Sequence, residues 1–148
     1  MKKSILLFDE EVLLSKEIKE GFELRDPEIE MKSATTYAEA FDLLTNNQFE
    51  AIVIDVVVPF TERDRTINAK LLNNLNTGIT FKEHVLELVH AGTIKGKPRL
   101  YLFTARTDLT LEDTAGVDGV ILKPKRPSEI FKKVMGIWRR YYFLSFCC

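Results

Sequence analysis

Only two cysteines occur in this chain, Cys147 and Cys148, side by side at its C-terminal end. Adjacent cysteines close a disulfide only with strain, so no disulfide framework holds this fold together, and a reducing, cytoplasmic setting is expected. The pair reads as part of a frayed end rather than as a metal site or lipidation signal. Long apolar runs are also missing: none approaches the roughly 20 residues that a membrane helix needs. The run after Met1-Lys2-Lys3 stops at Asp9, too early for the apolar core of a signal peptide. A net charge of −1 removes the electrostatic case for nucleic-acid binding. No internal repeat or low-complexity tract occurs. Nor does a Ser/Thr/Gly-rich loop follow the first apolar run. Asp9-Glu10-Glu11 stands there instead and would repel a flavin phosphate, which disfavours a flavin protein or flavodoxin-like enzyme.

What is present is the balance of a globular protein: 45% hydrophobic and 29% charged residues over 148 positions, enough for one domain, residues 1–148, with a real core. Four stretches, each ending an apolar run, are the most informative. Asp9-Glu10 follows Ser4 to Phe8, Asp55 follows Ala51 to Ile54, Thr104-Ala105 follows Leu100 to Phe103, and Lys123-Pro124 follows Val120 to Leu122. Apolar runs of this length suit strands buried on both faces of a parallel sheet. In such sheets ligands bind outside the carboxyl ends of the strands. The polar residues ending these runs are therefore expected to meet at one edge. Carboxylates, a hydroxyl and an ammonium gathered there suit a phosphoryl group and a divalent metal.

Helical patterns fill the intervals. Glu11 to Leu24 places Val12, Leu13, Ile18 and Phe22 at near-helical spacing, and Ile29 to Ala34 alternates as a second strand. Thr36 and Glu39 form a capping-box pattern before a helix carrying Ala40, Phe41, Leu43 and Leu44. Ala51 to Val56 is the third strand. A polar stretch, Thr61 to Thr77, interrupts the rhythm. Gly78 then precedes an amphipathic helix through Phe81, Val85, Leu86, Leu88 and Val89, closed by Gly92. Asp108 to Gly116 is a short helix or loop, Val117 to Leu122 the fifth strand, and Pro127-Ser128-Glu129 opens a last helix through Ile130, Phe131, Val134, Ile137 and Trp138. Five alternations of strand and helix predict an α/β fold, a doubly wound five-stranded parallel sheet. His84 and His90, six residues apart, have no partners at metal-ligand spacing and read as surface residues.

From about Lys3 to Trp138 this layout resembles the receiver domain of two-component response regulators, a flavodoxin-like fold. The resemblance rests on the acidic pair Asp9-Glu10, on Asp55 with Pro59 four residues later, on Thr104-Ala105 and on Lys123-Pro124. Each is common alone; together, in order and each at a strand end, they are specific. The resemblance implies a signalling module rather than an enzyme, phosphorylated on Asp55 by a sensor histidine kinase or phosphotransfer protein. Asp55 is the expected nucleophile, since a carboxylate attacks phosphorus to give an acyl phosphate. Mg²⁺ would relieve the repulsion between carboxylate and donor, held by Asp9, Glu10, Asp55 and, by resemblance, the backbone carbonyl of Val57. Lys123 would meet one phosphoryl oxygen and Thr104 another, with Ala105 small enough to leave the site open. By the same resemblance Arg106 and Val57 would flank the route of attacking water and tune hydrolysis, with Arg106 the candidate for setting that rate.

Two features depart from the family. Residues 60 to 78 form an insertion on the rim beside Asp55, either a functional lid or contact surface or a tolerated loop. On the fifth strand Val120 occupies the place of the aromatic residue whose swing accompanies engagement of the threonine. The polar segment Asp108 to Ala115 also alters the usual output face. Beyond the last helix, residues 139–148 carry aromatics around Arg139 and Arg140, a composition used at interfaces; this tail either folds back on the core or serves docking or homodimerisation. With little chain left after that helix, output is expected through a downstream protein target, not direct DNA binding. The competing readings are a pseudo-receiver acting as a phosphorylation-independent binding module, and a purely structural Asp55–Lys123 ion pair.

Overall fold

The computed structural model describes residues 2–146, with side chains from 2 to 136. Strands β1 (Lys3–Phe8), β2 (Ile29–Ala34), β3 (Ala51–Asp55), β4 (Arg99–Thr104) and β5 (Gly119–Leu122) alternate with helices α1 (Val12–Arg25), α2 (Tyr37–Asn46), α3 (Glu62–Ile67), α4 (Thr77–His90) and α5 (Pro127–Phe146). All strand pairs are parallel, in the order β2-β1-β3-β4-β5. The order reverses between β1 and β3, so the crevice at the carboxyl ends of these two strands is the topological switch point.

Successive strand residues point to opposite faces, and both faces are covered. On one face Leu6, Phe8, Ile52, Ile54, Leu100 and Leu102 pack with Tyr37, Ala40 and Leu44 of α2 and Phe81 and Val85 of α4. On the other, Ile5, Leu7, Val53, Tyr101 and Phe103 pack with Ile18 and Phe22 of α1 and Ile130, Phe131 and Val134 of α5. Phe22 meets Phe131 edge to face, with ring centroids 5.3 Å apart.

Several local readings are corrected. The stripe that α1 buries runs through Ser15, Ile18 and Phe22, leaving Val12 and Leu13 65% and 78% exposed, because they lie on the turn that faces away from the sheet. In α2 the fully buried aromatic is Tyr37, and Phe41 and Leu43 are only half-buried. Thr36 caps α2 through Glu39 N (3.2 Å), while the Glu39 carboxylate accepts from Thr35 N (3.3 Å) instead of closing the box on Thr36. β5 starts at Gly119, two residues late, because the Asp118 carboxylate itself accepts from Leu100 N (2.8 Å). Between β4 and β5 the loop alternative holds, not the helix: residues 111–116 are turns. Their carbonyls of Glu112 and Ala115 are capped by the Lys82 ammonium at 3.3 and 3.0 Å, a lysine only 1% exposed. Helix α5 continues to Phe146, past the expected end at Trp138. The expected packing or dimer role of the aromatic side chains in 139–148, and of Ile137 and Trp138, lies outside the described residues.

Residues 60–78 are folded. Thr61 and Asp64 form a full capping box for α3, and the buried Asp64 carboxylate also accepts from Ala38 N (2.9 Å), stapling α3 onto the start of α2. Leu71 is fully buried in the α2/α4 core, a burial that contributes about 1.5–3 kcal/mol. Asn68 Nδ2 donates to the Tyr37 hydroxyl (2.9 Å), and that hydroxyl lies 2.7 Å from His84 Nδ1. The Tyr37 hydroxyl thus joins Asn68 of the inserted segment to His84 of α4. His84 also stacks against Phe41 at 5.0 Å, so it is a partnered residue and not a free surface one; His90 is exposed as expected.

Candidate functional site

Sheet register builds the site. Phe8 pairs with Ile54, Asp55 with Phe103, and Thr104 with Leu122. Asp9, Asp55, Thr104 and Lys123 thus leave neighbouring strands in one row at the switch-point edge. Asp9, Asp55 and Thr104 are buried, and the Lys123 side chain is 15% exposed. Lys123 Nζ lies 3.0 Å from Asp9 Oδ2 and 3.3 Å from Asp55 Oδ2, so one ammonium serves two carboxylates. It also stands 4.7 Å from the centre of the Phe103 ring. The Lys123–Pro124 peptide is cis.

The charges explain the protonation behaviour. Burial, then the charge of Asp9, pushes the Asp55 carboxyl up to about 7; Lys123 and the backbone N–H of Val57 oppose this. Burial pulls the Lys123 ammonium down, but its hydrogen bond to Asp9 and the charges of Asp55, Asp9 and Glu11 outweigh that and raise its pKa. The arrangement is short of positive charge, which is what a bound cation would supply.

Glu10 is not drawn into this cluster. It is exposed and makes no side-chain hydrogen bond or ion pair among the described residues, because Asp9 turns inward and the next residue along the chain turns out. Asp9 Oδ1 accepts from Glu11 N (2.8 Å), shaping the entry to α1. Glu11 is the acidic residue that reaches Lys123, at 3.7 Å; the third acid of Asp9-Glu10-Glu11 was the available sign of it. Among the described residues no group of three or more His, Cys, Asp or Glu side chains gathers. Two buried carboxylates nonetheless suit Mg²⁺, which takes oxygen ligands and commonly only one or two carboxylates beside water and phosphate oxygens. The donor set fits that ion.

Thr104 Oγ1 accepts from Arg106 N (3.0 Å), and the hydroxyl proton has no acceptor among the described residues. A buried donor so placed is available to an incoming oxyanion. Ala105 is exposed at the site's mouth. It lines a cleft of about 340 Å³ with Glu11, Leu14, Phe103, Lys123, Pro124 and Lys125. Arg106 turns away from Asp55: its guanidinium pairs with Asp108 (2.9 Å) and donates to Leu75 O (2.8 Å) and Asn76 Oδ1 (2.9 Å). The sequence marks Gly78 as a helix boundary, and in the structure it lies directly on the Asp55 backbone.

No protein-family profile and no curated protein sequence matches this chain. Solved structures do match. A response regulator receiver domain protein (CheY-like) from Methanospirillum hungatei is 19% identical with a TM-score of 0.69, covering 95% of this chain and 96% of its own. The receiver domain of Francisella response regulator 1452 is 22% identical with a TM-score of 0.66, covering 95% and 99%. A two-component response regulator from Clostridium difficile is 17% identical with a TM-score of 0.68, covering 95% and 98%. The chain has the flavodoxin-like fold of response regulator receiver domains.

Proposed function

We propose that this chain is a receiver domain that accepts a phosphoryl group on Asp55. The observation that carries this reading is the convergence of Lys123 on Asp9 and Asp55 at the switch-point edge, with the Thr104 hydroxyl, its oxygen bonded by Arg106 N and its proton free, on the adjacent strand end. Asp9, Asp55 and the Val57 carbonyl, with the exposed Glu10 next to Asp9 between β1 and α1, are the residues that would hold Mg²⁺. Bound there, the ion neutralises the repulsion between the carboxylates and an anionic donor.

The chain's own residues account for the rest. An Asp55 oxygen attacks phosphorus, and the bond from phosphorus to the donor's imidazole nitrogen breaks as the new P–O bond forms. The imidazole leaves with the electron pair, and Asp55 becomes an acyl phosphate. Lys123 then balances charge on one phosphoryl oxygen and Thr104 donates its free proton to another. Ala105, exposed and small, leaves the approach open.

The donor is a phosphohistidine on a sensor kinase or phosphotransfer protein, and the product state acts on a downstream protein target. Among the described residues no helix is long and apolar enough to cross a membrane, and a cytoplasmic location accompanies this reading. Homodimerisation through the aromatic C-terminal residues belongs to the same proposal. Intact mass after incubation with acetyl phosphate and Mg²⁺ tests it. The wild type is expected to gain one phosphoryl group and Asp55→Asn none; uptake by neither, with both folded, rejects the reading.

A further inference from the structure

Residues 60–78 are bonded to the candidate site from two sides. On the β3 side, Val58 N donates to Asn74 O (3.2 Å), Gly78 N donates to Val56 O (2.9 Å), and the Thr77 hydroxyl donates to Val58 O. On the β4 side, the Arg106 guanidinium donates to Leu75 O (2.8 Å) and Asn76 Oδ1 (2.9 Å), and Arg106 N donates to Thr104 Oγ1 (3.0 Å). Asp55 pairs with Phe103, the neighbour of Thr104, and this closes a ring. From Asp55 it runs through Val56–Val58, Asn74–Gly78, Arg106 and Thr104 back to Asp55.

The ring offers Thr104 a connection that the sheet does not. Val120 on β5 has no ring to swing and stays half-buried against the α2/α4 core. Among the described residues the only hydrogen bond of the Thr104 side chain is the one from Arg106 N. Turning the Thr104 side chain so that its free proton meets a phosphoryl oxygen on Asp55 also moves the oxygen that accepts from Arg106 N. Arg106 is a rigid planar fork with anchors already placed on residues 75 and 76, while Asp108 holds its other edge at 2.9 and 3.3 Å. A shift of its backbone is therefore delivered to the turn at Asn74–Asn76.

We propose that Arg106 is a positioning residue that couples the state of Asp55 and Thr104 to residues 70–78, making the inserted segment the element that responds to phosphorylation. This rests on the phosphoryl-transfer reading above. The coupling is reciprocal: whatever holds the segment in its resting arrangement also holds Thr104.

Hydrogen exchange of peptides covering residues 70–78, measured on the full chain, tests this. In the unphosphorylated protein Thr104→Ala is expected to speed exchange there about fivefold, the factor that loss of one hydrogen bond corresponds to, with Thr104→Ser restoring it. Unchanged exchange in a folded Thr104→Ala overturns the coupling. With acetyl phosphate and Mg²⁺, wild type and Arg106→Ala are compared at equal extents of phosphorylation read by intact mass. Wild type is expected to change exchange at 70–78 at least about twofold, within the range of a single altered hydrogen bond, and Arg106→Ala is expected to show no such response. A segment that responds in Arg106→Ala as in wild type, or fails to respond in phosphorylated wild type, overturns the proposal. Wild type that takes up no phosphoryl group, beside a Thr104→Ala that still loosens the segment, leaves the ring standing and sinks phosphoryl transfer instead.

Discussion

Gly78 sits so close to Asp55 that a β-carbon built on it would lie 2.0 Å from the Asp55 carbonyl oxygen. The start of α4 is thus pressed against the backbone of the proposed phosphoacceptor, and Gly78 N is bonded to Val56 O next door. Any side chain here must push the strand end or the helix away. Gly78→Ala is expected to lose about 1–3 kcal/mol of stability in denaturant titration, the usual cost of overpacking. It should also slow phosphoryl uptake, since it displaces the carboxylate proposed to attack. A variant as stable as wild type would mean that the close approach is not maintained in solution.

Asp55 makes stability depend on pH in an unusual direction. Its native carboxyl keeps a proton up to about 7, whereas the unfolded chain releases it near the ordinary value of 3.8. Between these values the native state binds more protons, so this group lowers stability as pH rises. Asp55→Asn removes that burden together with the repulsion from Asp9. Without added metal it is expected to be more stable than wild type at pH 8, by an amount on the order of 1–4 kcal/mol, and no more stable at pH 4. Denaturant midpoints at the two values check this, and equal midpoints at pH 8 would contradict it.

His84 acts in the opposite sense. Burial, with a smaller push from Lys70 against the pull of Glu87, holds its pKa below the ordinary 6.5. Lys70 and Glu87 pair with each other at 3.0 Å, so neither is free to compensate. As pH falls through 6.5 the unfolded chain binds this proton first, and stability is lost. The Asp64 carboxylate close by is committed to Thr61 and Ala38. Between pH 7 and 5, Asp55→Asn is therefore expected to weaken as acid is added while His84→Gln strengthens. Matching slopes in the two variants would refute the assignment.

Lys82 substitutes for a missing helix. Burial lowers its pKa, against the pull of Glu83, Asp113 and Glu112, yet its ammonium satisfies two turn carbonyls. Lys82→Met leaves both carbonyls without a donor, at about 1–3 kcal/mol each where they stay dry. Faster hydrogen exchange across 111–117, with β1 and β3 unaffected, is the expected result.

Much of the site was legible because parallel strands are buried on both faces. Ala51 to Ile54 is apolar throughout, so the charge of Asp55 at its end stood out, and the same holds for Asp9 and Lys123. Register then did the assembly. Less legible were features set by distant partners. Tyr37 and His84 are 47 residues apart and meet only when α2 and α4 cover the same face. Lys82 looks like an ordinary surface lysine until the turns at 111–116 reach it. α3 lacks an apolar stripe of its own, and its one signal, Thr61 with Asp64 three residues on, lies in a polar stretch. The segment expected to be short helix or loop at 108–116 resolved as turns for the same reason: its polar residues had no face to bury.

The most direct measurement is to locate the phosphoryl group. After treatment with acetyl phosphate and Mg²⁺, borohydride reduces an aspartyl phosphate to homoserine, which tandem mass spectrometry assigns to a residue. The account predicts homoserine at position 55 and nowhere else, and none when Mg²⁺ is withheld. Modification at Asp9 or Glu10 with Asp55 intact, or none at any carboxylate of a folded protein, would contradict it.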